Sequence, residues 1–127
     1  GSNLSNVDFD NCKLINISIF ESTLSNVSMI ESLVEYSKIE NTKIDNSNFE
    51  NIKWLENIHR HNKYTNNQFI RCSFILDNFI DTNIKQCNLL TSHFEDIKIN
   101  LDELISSKLS LLGLLEIVNA KGIEIEE

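Results

Sequence analysis

The sequence contains no proline and only three glycines among its 127 residues. A β protein built from tight hairpins usually needs more of both, because these residues supply the backbone conformations of tight turns. The sequence also lacks any apolar run approaching the about 20 residues that a membrane-spanning helix needs. We therefore expect one domain of another kind, with no membrane partner.

Basic residues and cysteines are also few. Lys and Arg number 11 against 19 Asp and Glu, which gives a formal net charge of −8. Binding to nucleic-acid phosphates depends on Lys and Arg, so we expect no direct nucleic-acid binding. Three cysteines, an odd number, do not suggest a disulfide framework and suit the reducing cytoplasm.

Residue patterns that carry chemistry are missing as well. We find no nucleophile with a paired base and no glycine-rich phosphate loop. His59 and His61 are only two histidines, whereas protein metal sites usually use three or four ligands. We expect no catalytic residue, no metal site and no cofactor.

A five-residue repeat is what the sequence does contain. Residues 37–51 read SKIEN, TKIDN, SNFEN: small, polar, apolar, acidic, Asn. Every fifth residue from Leu4 to Ile99 gives twenty positions, and nineteen of them hold apolar or aromatic residues, although the whole chain is 41% hydrophobic. The exception is His59. The residue two places before each of these centre positions is mostly small, and the residue two places after it is often Asn.

This spacing predicts a coil with four walls. Within each unit the small and the centre residues point inward, as in a strand, and Asn turns the corner. Four corners close a turn of 20 residues, and successive turns stack about 4.8 Å apart. Inward side chains 20 residues apart then form columns. One predicted column is Phe9, Met29, Phe49, Phe69 and Leu89, and another is Leu14, Val34, Trp54, Phe74 and Phe94.

The pattern over residues 3–99 resembles the pentapeptide repeat family, whose template is roughly A-(D/N)-L-X-X. Ser, Thr, Cys and Val often stand here where the family has Ala, and all of them satisfy a position that restricts volume. The resemblance implies an all-β fold, a right-handed quadrilateral β-helix of about five coils. It also implies a function in protein–protein interaction, because some members bind DNA gyrase or topoisomerase IV as acidic mimics of DNA, while most have no assigned activity.

Residues 55–68, LENIHRHNKYTNNQ, interrupt the template without changing its phase. Either the coil continues through imperfect units, or about ten residues loop out, which would shift the later columns by two faces. The segment holds the densest cationic cluster of the sequence, between residues 59 and 63. Ile70 and Leu90, which follow the segment, are expected to be exposed apolar residues. The predicted partner-contact residues are His59, Arg60, His61, Lys63, Ile70 and Leu90.

After Ile99 the period changes, and residues 100–127 are predicted to form a capping α-helix and a short terminal strand, IEIEE. Asn100 is the expected N-cap, and Gly122 the expected stop. The apolar arc is wider than one surface requires, so we expect one part to cap the coil and the other to form a homodimer. The cap or dimer residues are Leu101, Leu104, Ile105, Leu109, Leu111, Leu112, Leu115 and Val118.

Two functions follow from these patterns. The first is a non-catalytic interaction module with an unknown partner. The alternative is a DNA mimic that binds a type II topoisomerase, with quinolone resistance or topoisomerase modulation as its effect. A type II topoisomerase is suggested as the partner only by the resemblance to the family, not by the residue pattern itself.

Overall fold

The computed structural model describes residues 1–124 and 126. Over these residues the chain coils into a square tube of about five turns, whose four walls are parallel β-sheets. We name the walls faces A to D in the order in which the chain visits them.

Each face is built from strands of two or three residues, one from each turn. Face A consists of β1 (Asn3–Ser5), β5 (Thr23–Ser25), β9 (Lys43–Asp45), β13 (Lys63–Thr65) and β17 (Asn83–Lys85). Face B consists of β2 (Asp8–Asp10), β6 (Ser28–Ile30), β10 (Asn48–Glu50), β14 (Gln68–Ile70), β18 (Asn88–Leu89) and β20 (Lys108–Leu109). Face C consists of β3 (Lys13–Ile15), β7 (Leu33–Glu35), β11 (Lys53–Leu55), β15 (Ser73–Ile75) and β19 (His93–Glu95). Face D consists of β4 (Ser18–Phe20), β8 (Lys38–Glu40), β12 (Ile58–Arg60) and β16 (Asn78–Ile80).

The corners depend on a left-handed backbone conformation. Among the described residues, nineteen that are not glycine have positive φ, and all of them stand two places after a centre residue. Eight of the nineteen are Asn, the residue that tolerates this conformation best after glycine. The chain can therefore turn every five residues with almost no glycine.

Hydroxyl side chains at the small inward positions join neighbouring turns. The Ser47 hydroxyl accepts from the N–H of Val27 at 3.0 Å, and it donates to the carbonyl of Asp45 at 2.9 Å. Ser32 makes the same pair of contacts on another corner, with the N–H of Cys12 and the carbonyl of Ile30. Ser and Thr therefore fill the narrow interior and also satisfy backbone groups that it buries.

The centre residues form the core of the tube. The register pairs Phe9, Met29, Phe49 and Phe69 on successive turns of face B, and Leu89 follows on β18. On face C it pairs Leu14, Val34, Trp54, Phe74 and Phe94 in turn. Phe9 and Leu14 are half-buried because they lie in the first turn, and the other eight side chains are buried.

Aromatic rings stack along these columns. The rings of Phe49 and Phe69 are nearly parallel, with centroids 5.2 Å apart. Trp54 and Phe94 stack on the two sides of Phe74, each at 5.5 Å. The five-residue spacing therefore places flat side chains one above another at a distance that aromatic stacking favours.

The segment 55–68 continues the coil. Strands β12 and β13 pair with the turns before and after them, so no ten-residue loop projects and the later columns keep their faces. The irregular residues of this segment lie inside the tube, where Asn57, Asn62 and Asn67 take the place of smaller residues.

The prediction of one helix from Asn100 is wrong. Asn100 caps only a short 3-10 helix, Leu101–Glu103, and the chain then makes one more strand of face B, in which Leu109 pairs with Leu89. The reason is that Leu104 and Leu109 continue the five-residue spacing, and both pack half-buried against the core.

The α-helix α1 spans Leu111–Ala120 and begins at Ser110, whose hydroxyl accepts from the N–H of Gly113 at 2.9 Å. The predicted stop, Gly122, has φ of 79° and directly follows the C-cap residue Lys121. Of the predicted terminal strand, Ile123 and Glu124 are not in a strand, and Ile125 and Glu127 lie outside the described residues. No described helix has the length and apolar character required to cross a membrane.

Candidate functional site

Helix α1 closes the end of the tube through a narrow apolar contact. Its buried residues are Gly113 and Ile117. A Cβ atom at Gly113 would lie 3.3 Å from Cε2 of Phe94 and 3.2 Å from the Ser110 hydroxyl. Glycine at this position therefore allows the helix to approach the last aromatic ring of face C closely.

Polar contacts from the middle and from the C-terminal end of the helix support this position. The Glu116 carboxylate lies 3.4 Å from Nδ1 of His93, and the Lys121 ammonium donates to the carbonyl of Ile99. The orientation of α1 on the tube is therefore defined by its apolar side and by contacts on its flanks.

The side of α1 that faces away from the tube is also apolar. Leu111 is 74% exposed, Leu112 56% and Leu114 38%. Leu115 and Val118 are half-buried and lie between them on the helical wheel. The helix therefore presents an outer apolar face, defined by these five residues, that nothing in the described chain covers.

Four other residues predicted for the cap or the dimer lie outside the helix. Leu101 and Ile105 are exposed on the last turn of the coil. Leu104 and Leu109 pack against the core, so they are not available to a second copy as predicted. They belong to the coil because the five-residue spacing extends further than predicted.

A polar cluster lies inside the tube between faces D and A. The side chains of His59 and Asp77 are 1% and 0% exposed, and Nε2 of His59 lies 2.9 Å from an Asp77 oxygen. Nδ1 of His59 lies 2.8 Å from the Tyr64 hydroxyl, which also accepts from the Asn62 amide at 3.1 Å. The Asn57 backbone N–H donates to the other Asp77 oxygen at 3.0 Å.

Hydrogen-bond geometry gives this cluster one consistent proton arrangement. Burial, together with the Asp77 charge, raises the pKa of Tyr64 well above its ordinary value, so its hydroxyl keeps its proton. If that hydroxyl donates to Nδ1, then Nε2 of His59 carries a hydrogen and donates to Asp77. The cluster has the groups of an acid–base site but is sealed among buried side chains, and its evident role is to satisfy polar groups that the interior contains.

The architecture is now defined: each five-residue unit makes one wall, and each corner takes a left-handed residue. The fold is a four-walled parallel β-solenoid with five residues to each wall. No protein-family model and no curated protein sequence matches the chain.

Solved pentapeptide-repeat structures resemble the chain at low sequence identity. A pentapeptide repeat protein, Rfr23, from the cyanobacterium Cyanothece 51142 is 13% identical, with a TM-score of 0.41, over 85% of this chain and 84% of its own. A trypsin-treated form of QnrB1, described as a plasmid-mediated fluoroquinolone resistance protein, is 12% identical, with a TM-score of 0.34, over 98% and 99%. The full-length form is 8% identical, with a TM-score of 0.22, over 91% of this chain and 100% of its own.

Charge is unevenly distributed around the pentapeptide-repeat coil. Counting each face with the corner that follows it, faces B and C carry eight acidic and four basic residues, whereas faces D and A carry four and six. The acidic residues of B and C are Asp8, Asp10, Glu31, Glu35, Glu50, Glu56, Glu95 and Asp96, and the basic ones are Lys13, Lys53, Arg71 and Lys108. One side of the tube therefore has a net charge of −4 and the other of +2.

The structure separates the predicted partner-contact residues. His59 is buried inside the tube and cannot touch a partner, contrary to the expectation. Arg60, His61 and Lys63 are exposed around the corner between faces D and A. Ile70 is half-buried and Leu90 is 44% exposed, both on the side of face B.

The cysteines are core residues or lie near the open first turn. Burial raises the pKa of the Cys72 and Cys87 thiols to about 11, which keeps them protonated near neutral pH. Cys12 is half-buried. Within residues 1–124 and 126, no three His, Cys, Asp or Glu side chains lie close enough together to hold a metal ion.

The polar cluster is the part of the interior that the sequence analysis missed. Its signal was present as departures from the template: a histidine at a centre position, and Asn57 one full turn of 20 residues before Asp77. Read together, these departures indicate a buried hydrogen-bonded group instead of an irregular segment.

Proposed function

We propose that this protein is a non-catalytic protein–protein interaction module that forms a two-fold homodimer through α1. The observation that carries the proposal is the outer apolar face of the helix, where three leucines are largely exposed. Burying one leucine contributes about 1.5–3 kcal/mol, and a two-fold axis uses every contact twice. An exposed apolar face of this kind is unusual in a protein that functions as a monomer.

Light scattering coupled to size-exclusion chromatography tests the dimer. The wild-type protein is expected to have twice the mass of the chain, and the Leu112→Glu variant the mass of one chain. Leu90→Glu is the matched control, because Leu90 is similarly exposed but lies on the side of face B. A wild-type monomer at high micromolar concentration would refute the dimer, as would equal dissociation of both variants.

A second candidate is a DNA mimic that binds DNA gyrase or topoisomerase IV. The uneven charge favours it, because faces B and C present acidic residues along one side of a rod. Five turns make a rod of only about 24 Å, so a dimer would present a longer acidic surface than one chain.

A gyrase supercoiling assay tests this candidate. The wild-type protein is expected to inhibit the enzyme or to protect it from a quinolone. An Asp8→Lys/Asp10→Lys variant should lose the effect, whereas Glu21→Lys/Glu40→Lys, which changes the less acidic side, should retain it. No effect of the wild type at tens of micromolar would end the candidate.

The proposed compartment is the cytoplasm. The free thiols of Cys12, Cys72 and Cys87 are compatible with reducing conditions.

A further inference from the structure

The edge between faces C and D carries a pattern that the proposed dimer does not use. Two outward columns meet at this edge: the residues after each centre of face C, and the corner residues that follow them. The ten positions hold five apolar residues, four acidic residues and one Asn, and no basic residue. The apolar members are Ile15, Tyr36, Leu55, Ile75 and Leu76, and the acidic members are Glu35, Glu56, Glu95 and Asp96. We call these ten positions, which also include Asn16, the C–D edge.

Two apolar residues of the edge occupy an unfavourable backbone conformation. Tyr36 has φ of 53° and Leu76 has φ of 59°. Among the nineteen non-glycine residues with positive φ in the described chain they are the only apolar ones, and both lie on the corner that the C–D edge includes. The left-handed conformation costs a bulky side chain about 1–2 kcal/mol, which Asn largely avoids.

Packing within the chain offsets this strain only in part. Tyr36 is 51% exposed and Leu76 is 47% exposed, so each leaves about half of its side chain in water. Folding therefore places two apolar side chains on the surface in a conformation that favours another residue type. Strain of this kind points to a role outside the stability of the fold.

The acidic members of the edge indicate the charge of whatever covers it. Glu35 lies 3.9 Å from Lys53, which stands on the other outward column of face C. Glu56, Glu95 and Asp96 are exposed, and none of them is in an ion pair within the described part of the chain. Lys38 and Lys98 lie on face D, across the corner from the acidic columns, and they mark the limit of the acidic region.

We propose that the C–D edge binds a cationic amphipathic helix of a partner protein. This inference rests on the proposed role as an interaction module and names the chemistry of the partner. Rungs of the edge repeat about every 4.8 Å, close to the 5.4 Å pitch of an α-helix, so a helix along the tube can place one side chain on each rung. Its apolar residues would meet Tyr36, Leu55 and Leu76, and its Lys or Arg residues would meet Glu56, Glu95 and Asp96.

Binding of synthetic peptides measures this directly. The probes are a labelled helical peptide of about four turns with Leu on one face and Lys on the other, a scrambled peptide of the same composition, and a Leu/Glu peptide. Fluorescence anisotropy with the full chain should show binding of the amphipathic cationic peptide, at least tenfold weaker binding of the scrambled one, and none of the anionic one.

Replacement of the strained residues separates binding from folding. The Tyr36→Asn/Leu76→Asn variant should bind the cationic peptide at least tenfold more weakly, because two apolar contacts are lost. It should also melt about 3–6 °C higher than the wild type, because Asn relieves the strain. Phe20→Asn/Leu90→Asn, which changes exposed apolar residues on other faces, should bind like the wild type.

Each other result would overturn the inference. Equal binding of the scrambled peptide would reduce the edge to a nonspecific acidic surface. A lower melting temperature of the Asn variant would show that Tyr36 and Leu76 support the fold. If the protein self-associates through the C–D edge, and the Asn variant does not, then the occupant of the edge is a second copy of this chain. Light scattering of the same variants reports the α1 dimer separately, so failure of this inference is distinguishable from failure of the proposed function.

Discussion

Replacement of Asp77 by Ser tests whether the buried polar cluster stabilises the tube. Ser is the common residue at small inward positions, and at position 77 its hydroxyl can still accept from the Asn57 N–H, as Ser47 does from Val27. The carboxylate oxygen 2.9 Å from Nε2 of His59 is removed. The substitution therefore preserves the ladder between turns and leaves the histidine without its partner.

The expected cost is large because the site is dry. Both side chains are at most 1% exposed, so water cannot replace the missing contact. The proton arrangement of the cluster makes His59 neutral, and leaving its buried N–H without an acceptor costs about 1–3 kcal/mol. We expect Asp77→Ser to lower the free energy of unfolding by about 2 kcal/mol, since part of the Asp77 contacts survives.

A second substitution should recover most of this loss. The His59 ring is stacked on Phe79, with centroids 4.2 Å apart, and a phenylalanine ring in place of the imidazole can occupy the same plane. Alone, His59→Phe removes the contacts of the imidazole with Asp77 and with the Tyr64 hydroxyl, and it should also destabilise. In the Asp77→Ser/His59→Phe variant neither group of the pair remains, and we expect a coupling energy of at least about 1 kcal/mol.

Urea denaturation provides the measurement. Fluorescence reports on the core, because Trp54 is the single tryptophan and its ring centroid lies 5.9 Å from that of His59. Circular dichroism supplies a second probe of the same transition. A loss below about 1 kcal/mol for Asp77→Ser, or additive effects of the two substitutions, would refute the role assigned to the pair.

Three further predictions concern the thiols and the cap. The folded pKa of about 11 for Cys72 and Cys87 lies above the unfolded value of about 9, so the unfolded chain loses these protons first. Stability present below pH 9 should fall by up to about 3 kcal/mol per thiol as pH rises through 11, and pH-dependent urea titrations of Cys→Ala variants should show a smaller fall. A thiol reagent monitored by absorbance should modify Cys12 in the folded protein, and Cys72 and Cys87 only after unfolding. Gly113→Leu should displace α1 from Phe94, and hydrogen exchange should then show loss of protection in the helix alone; unchanged protection would contradict the tight contact.

The walls of the tube could be predicted because each inward position repeats one simple requirement. A centre such as Phe49 or Phe69 must be apolar, and a position such as Ser47 must be small. These requirements depend on local spacing, which the sequence displays directly. The columns follow from that spacing alone, whereas the four-walled closure also drew on the resemblance to the family.

The polar cluster could not be predicted in the same way. His59 and Asp77 are 18 residues apart, and their contact depends on which inward positions share a turn and a corner. Each residue alone is a departure from the template, and only the three-dimensional register shows that the departures satisfy one another. The same register was needed to see that Tyr36 and Leu76 share one edge.

The boundary between coil and helix was misplaced for a related reason. The apolar residues between Leu101 and Val118 recur at spacings that suit a helix, but Leu104 and Leu109 also fit the five-residue repeat. Both patterns fit the same residues, and the coil prevails because the backbone groups of the preceding turn require partners. The backbone N–H of Lys108, for example, donates to the carbonyl of Cys87 at 2.9 Å. The helix begins only where that requirement ends.

The four walls of this protein are nearly interchangeable, since most five-residue units would fit equally well one position earlier or later around the square. During folding, a growing turn could therefore settle on its predecessor out of alignment by a quarter turn and still bury apolar side chains. In such a misaligned arrangement Asp77 would lose its contacts with both His59 and Asn57 and would be buried without them. The cluster thus penalises misalignment at the middle of the chain, where a single error would displace every later turn and the closing helix with it.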